Sequence, residues 1–187
     1  MKILDRLPLL TASQSIGFRQ RHVSFHRNAL VIWLSIGRRG NKNPLHISPA
    51  FPAMLDSGNN SACFLHEHHL IQWAGIQPNQ LETIGSVRIN DQRIAQLKAD
   101  VWIHPNVPGT HEHDSQRLPF RVHIAKGLAV GRPRPDDNTL FPRVPLLGFS
   151  ALKMNALDYW FDSKTGYSYL RTADWRSRLV RGLYRMF

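Results

Sequence analysis

Cysteine is almost missing from this chain: Cys63 is the only one in 187 residues, which excludes an internal disulfide. That usage fits a reducing compartment, and the chain reads as a cytoplasmic protein. Long apolar runs are missing as well. The most apolar early stretch, Ala29 to Gly37, is too short to cross a bilayer and lies too far inside for an ordinary signal peptide. Acids are scarce, with 13 Asp and Glu against 24 Lys and Arg and a formal charge of +11. The surplus sits at the two ends. Residues 1–45 carry 8 basic side chains against 1 acid and residues 171–187 carry 5 against 1, while the middle is balanced at 11 against 11. A basic groove built into the fold would put charge in the middle, so the ends read as solvated tails or as contacts for nucleic acid or an anionic membrane.

Two chemistries lack their signatures. Gly37-Arg38-Arg39-Gly40 has neither the spacing nor the following helix of a phosphate-cradling loop. His66, His68 and His69 fall together, and His111 and His113 flank Glu112, but no His-Glu-x-x-His pattern or cysteine pair accompanies them. Surface histidines are therefore expected and no metal. Cys63 lies in an apolar stretch and reads as a buried, inert thiol.

What the chain does have is Phe51-Pro52-Ala53-Met54-Leu55-Asp56-Ser57-Gly58, an apolar strand that ends by delivering one carboxylate into a turn of small residues. Ser57 offers a hydroxyl to tie the turn and Gly58 lets it bend sharply. An acid at the edge of a core is where a carboxylate's proton affinity can be tuned. Alone, Asp-Ser-Gly reads equally as an ordinary turn acid capping its own backbone. Its setting adds more: some ninety residues on, Arg143 to Gly148 forms a second buried run ending in Leu146-Leu147-Gly148, followed by a helical pattern over Phe149 to Asn155.

The remaining pattern is mostly β. Ala29 to Ile36 reads as a buried strand, Leu45 to Leu55 as one interrupted by Pro49 and Pro52, and Ala62 to Leu65 as a short one. His66 to Ala74 reads as a helical turn or two closed by Gly75. Glu82 to Ile89 and Arg93 to Ile103 alternate around Asn90-Asp91-Gln92, the clearest hairpin in the chain. Pro105 to Leu118 is a loop, Pro119 to Ala125 a strand and Gly131 to Asn138 an exposed insertion. Leu157 to Phe161 and Tyr167 to Arg171 form a second hairpin with aromatic cross-strand candidates. Residues 1–27 show no period and read as a basic arm of uncertain order, whereas 173–187 space Trp175, Leu179, Leu183 and Met186 as a basic amphipathic helix.

In this order the elements over residues 28–172 resemble the retroviral-type aspartic proteases, the retropepsins. Asp56-Ser57-Gly58 matches the catalytic motif and Leu146-Leu147-Gly148 matches the hydrophobic-hydrophobic-Gly motif behind it. The resemblance implies an all-β closed barrel with short helices, equivalent to one lobe of a pepsin-like enzyme. It implies a water-dependent aspartic endopeptidase with Asp56 as the acid/base residue, no cofactor, and a peptide or protein substrate. The hairpin near residues 83–103 falls where the family has its flap, though it lacks the glycine-rich tip of some relatives. Peptide hydrolysis of this kind needs two carboxylates sharing a proton, and the chain holds one such motif and no internal repeat. A two-fold homodimer joining the two Asp56 side chains is therefore expected, with Ser57 locking the paired turns. The other reading is a catalytically silent retropepsin-like module that binds a peptide or protein through the same cleft or through its basic tails.

Overall fold

The structure, a computed structural model, describes residues 1–58, 61–89, 92–132 and 144–173. It is an all-β chain. The strands are β1 (Lys2–Pro8), β2 (Gln14–Phe18), β3 (Arg21–Phe25), β4 (Leu30–Arg38), β5 (Phe51–Asp56), β6 (Cys63–His66) and β7 (Thr83–Ile89). They continue as β8 (Gln92–Leu97), β9 (Ala99–His104), β10 (Phe120–Val122), β11 (Leu128–Gly131), β12 (Leu146–Gly148), β13 (Leu157–Asp162) and β14 (Tyr167–Thr172). One short α-helix, α1 (Phe149–Met154), follows Gly148 directly. A single π-helical turn at His69–Trp73 ends at Gly75, whose φ of +69° is the left-handed value that glycine adopts without strain.

Nine strands make one sheet in the order β10-β9-β4-β5-β12-β6-β11-β8-β7. β4 lies between β9 and β5, and its apolar, β-branched side chains are buried almost without a break, as expected of a strand covered on both faces. Pro52 in β5 lies outside the stretch that β12 flanks, which begins at Met54, so its missing N–H is absent from only a one-sided pairing. The alternating stretch after the hairpin turn divides at Lys98: β8 pairs with β7 and β11, whereas β9 crosses to β4 and β10.

The sequence led to a closed barrel, and the pairing corrects this. Among the described residues the sheet has two edges, β10 and β7, which do not pair with each other. β10 is only three residues long, and β7 exposes Thr83 to Ser86, so neither edge offers a long, half-buried strand for closure.

The N-terminal residues also differ from the reading as an arm. β1 pairs with β14 in a three-stranded sheet β1-β14-β13, burying Ile3, Leu4 and Leu7, while β2 and β3 form their own hairpin. Asn106, itself buried, ties β1 to the loop after β9: its Oδ1 accepts from Asp5 N at 2.9 Å and its Nδ2 donates to Asp5 O at 3.0 Å. The helix read over 173–187 lies, past residue 173, outside the described residues, as does the insertion past residue 132.

Candidate active site

The run ending at Asp56 behaves as its composition requires. Phe51, Ala53 and Leu55 are buried, Asp56 is half-buried at the strand end, and Ser57 and Gly58 are exposed. Asp56 Oδ1 accepts a hydrogen bond from Gly58 N at 2.9 Å, closing the turn on itself.

β12 sets this turn in its surroundings. It threads between β5 and β6, parallel to the first and antiparallel to the second. Leu146, Leu147 and Gly148 stand opposite Met54, Leu55 and Asp56. The insertion is fastened at both ends, by Met54 N donating to Pro145 O at 2.9 Å and by Gly148 N donating to Ala62 O at 2.9 Å. Leu147 is fully buried beneath it. Two motifs ninety residues apart in sequence thus meet side by side on adjacent central strands of one sheet. Such an arrangement holds the carboxylate on a rigid strand rather than on a free loop.

The β7–β8 hairpin is anchored at its base and open beyond it. Lys98 Nζ meets Glu82 Oε2 at 2.6 Å and Lys98 N donates to Glu82 O at 2.7 Å. Ile94 and Leu97 are buried, whereas Ile84, Gly85 and Ser86 face solvent. Gly127 fixes the packing there: with φ at +79°, its position has no room for a Cβ, which would lie 2.8 Å from Ile84 Cδ1 and from Leu97 O. The turn at residues 90–91 lies outside the described residues. Cavities of about 720 and 540 Å³ lie beside this hairpin and beside the C-terminal end of β4, and Asp56 lines neither.

His68 is exposed as read and His111 and His113 are half-buried, but two of the clustered histidines are not surface residues. His66 and His69 are buried, His66 N donates to His69 Nδ1 at 3.2 Å, and the His68 and His69 rings lie 3.9 Å apart. Burial, helped by Arg21, lowers the pKa of His68. Among the described residues no three His, Cys, Asp or Glu side chains converge as metal ligands would. Cys63 is buried, and burial pushes its thiol up to about 12, so it is protonated and inert at neutral pH.

Two polar clusters escaped the sequence reading. Asp100, fully buried on β9, receives Gly40 N at 3.1 Å, Arg121 Nε at 3.1 Å and His123 Nδ1 at 2.9 Å, and His123 Nε2 lies 3.2 Å from Arg39. Ser35 Oγ, also fully buried, lies 2.7 Å from His104 Nε2. The one hint in sequence is a polar residue at each site inside an otherwise apolar strand. Ser35 has no route to solvent, which makes the second pair a packing contact rather than a nucleophile and its base.

A scan against protein-family models and searches among curated proteins and solved structures find no match to this chain.

Proposed function

We propose that the chain is the protomer of a homodimeric aspartic endopeptidase of retropepsin type, in which two copies of Asp56 meet across a two-fold axis. The observation that carries this reading is the threading of β12 between β5 and β6, with Gly148 in register beside Asp56. It is supported by the exposed Ser57-Gly58 turn, free to face a second copy, and by a hairpin anchored at its base as a lid would be.

In this mechanism one Asp56 carboxylate is ionised and its mate protonated, because like charges so close do not both ionise. The ionised group removes a proton from water, whose oxygen attacks the peptide carbonyl carbon. The protonated group gives its proton to the carbonyl oxygen. The tetrahedral species then collapses as the amide nitrogen takes a proton and the C–N bond breaks. Substrate lies extended between the paired carboxylates and the hairpins, donating and accepting main-chain hydrogen bonds.

The test is cleavage of a diverse peptide mixture from acid to neutral pH by the wild-type chain and by Asp56→Asn at matched concentrations. The proposal expects activity that rises faster than linearly with protein concentration, falls at least about a hundredfold in the variant, and is blocked by pepstatin-like mimics of the tetrahedral species. A folded wild type without cleavage at any pH or concentration would point instead to a silent peptide-binding module.

A further inference from the structure

The cavity of about 720 Å³ beside the β7–β8 hairpin lies within the size range of ligand sites. Leu81, Leu97 and Val130, all buried, make its floor apolar, with Ala95 beside them. Its charged lining is two arginines, Arg93 and Arg132, and one acid, Glu67. The pairing explains why the two arginines share this wall. Ala95 stands opposite Val130 in the antiparallel β8–β11 ladder. Two residues further along, where the same face of the sheet recurs, β8 presents Arg93 and the chain leaving β11 presents Arg132. Arg88 of β7 stands directly opposite Arg93 and places a third arginine beside the rim.

The acids close by are committed. Glu67 accepts from Arg132 Nε, and Glu82 meets Lys98 at the hairpin base. Arg93 donates Nε to Ser86 Oγ at 2.7 Å, and its two terminal nitrogens meet no acceptor among the described residues. The Arg132 side chain is 81% exposed, so the charged rim lies at the surface. A small molecule is usually engulfed by its site, whereas a surface rim beside an apolar floor suits a docked chain segment. No aromatic ring is among the described residues lining the cavity, which leaves nucleic-acid bases nothing to stack on.

From this we infer that the cavity docks an acidic segment of a partner protein, a carboxylate of the segment taking the Arg93 and Arg132 guanidinium groups while a neighbouring aliphatic side chain lies on Leu81, Leu97 and Val130. Guanidinium forks select carboxylates, and the apolar floor selects the side chain next to them. Glu67 holds Arg132 in the single chain and is the competitor that the segment displaces. Asp56 lies outside the cavity lining, so docking here is independent of any chemistry at that turn.

The experiment measures fluorescence anisotropy at low salt as the full chain is titrated into a fluorescein-labelled peptide of alternating leucine and glutamate. Its leucine–glutamine counterpart and a labelled oligothymidylate are measured beside it. The expected result is saturable binding of the glutamate peptide, at least about tenfold tighter than its glutamine counterpart. Arg93→Gln and Arg132→Gln, both changes at exposed residues, should each weaken binding about fivefold or more. Glu67→Gln removes the competing carboxylate and should tighten it about threefold. Lys164→Gln, on the turn after β13 and outside the cavity, changes the net charge as the arginine variants do and should leave affinity within about twofold. Asp56→Asn should bind as the wild type does. No binding, equal affinity for the glutamine peptide, or tighter binding of oligothymidylate would overturn the assignment. So would a loss in Lys164→Gln equal to that in Arg93→Gln, no tightening in Glu67→Gln, or loss of binding in Asp56→Asn.

Discussion

Gly148 stands directly beside Asp56, the last residue of β12 against the last of β5 in parallel register, and its N–H is spent on Ala62 across the other flank. The same three residues of β12 therefore hold the strand that carries the carboxylate and the strand that leaves it. The position of Asp56 is thus a property of the whole sheet centre rather than of its own turn.

Leu147 is the residue through which this is tested most directly. It is fully buried between Leu55 and Cys63 in the ladder, so Leu147→Ala should cost about 2–5 kcal/mol, the range for leucine deletions in well-packed cores. Chemical unfolding of the two proteins measures this. A loss under 1 kcal/mol would show that β12 is not the packed keel of the site.

These central pieces were legible because each is a continuous apolar run that stops at a turn residue, a pattern fixed by burial on both faces. The N-terminal strands were not. Ile3 and Leu4 are both buried, the register with β14 shifts twice, and Arg6 takes φ of 49°, so no period of two survives in the letters. β1 is a strand because β14, some 165 residues later, pairs with it. The Asp100 cluster was hidden for the same reason, since its partners come from residues 40, 121 and 123 and only the fold gathers them.

Asp100 supplies the second prediction. Its carboxylate is fully buried among three donors, so Asp100→Ala leaves the Gly40 N–H, Arg121 and His123 without their shared acceptor. Because Arg121 and His123 are partly exposed and solvent can take up their donors, the loss is roughly 1–3 kcal/mol, less than for a pair buried on both sides. Thermal unfolding should show that loss, and Arg121→Ala in the Asp100→Ala background should cost less than it does in the wild type. Additive losses in this cycle would show that the pair is not coupled.

Cys63 offers a probe of opening. With its thiol buried and pushed up to about 12, reaction with a soluble disulfide reagent at neutral pH should proceed only through unfolding. The labelling rate should rise steeply in denaturant with the unfolded fraction. Fast labelling of the native chain would place Cys63 at the surface.

His104 supplies the last prediction, a loss of stability in acid. Burial first, then the nearby His113, pull its pKa down to about 4 from the ordinary value of 6.5, and its Nε2 lies 2.7 Å from the buried Ser35 hydroxyl. A histidine depressed in the folded state binds its proton more readily when unfolded, so between about pH 6.5 and pH 4 the unfolded chain holds more protons and stability falls as pH falls. The loss approaches about 3 kcal/mol across that window and is absent above it. His68 and His111, both also lowered by burial, add slope of the same sign. Urea unfolding at pH 7 and pH 4.5 should therefore show a marked acid destabilisation that shrinks, without vanishing, in His104→Gln. An aspartic peptidase built on this chain would then lose activity on the acid side through unfolding before its carboxylates were fully protonated. An unchanged pH slope in His104→Gln would assign that loss to another group.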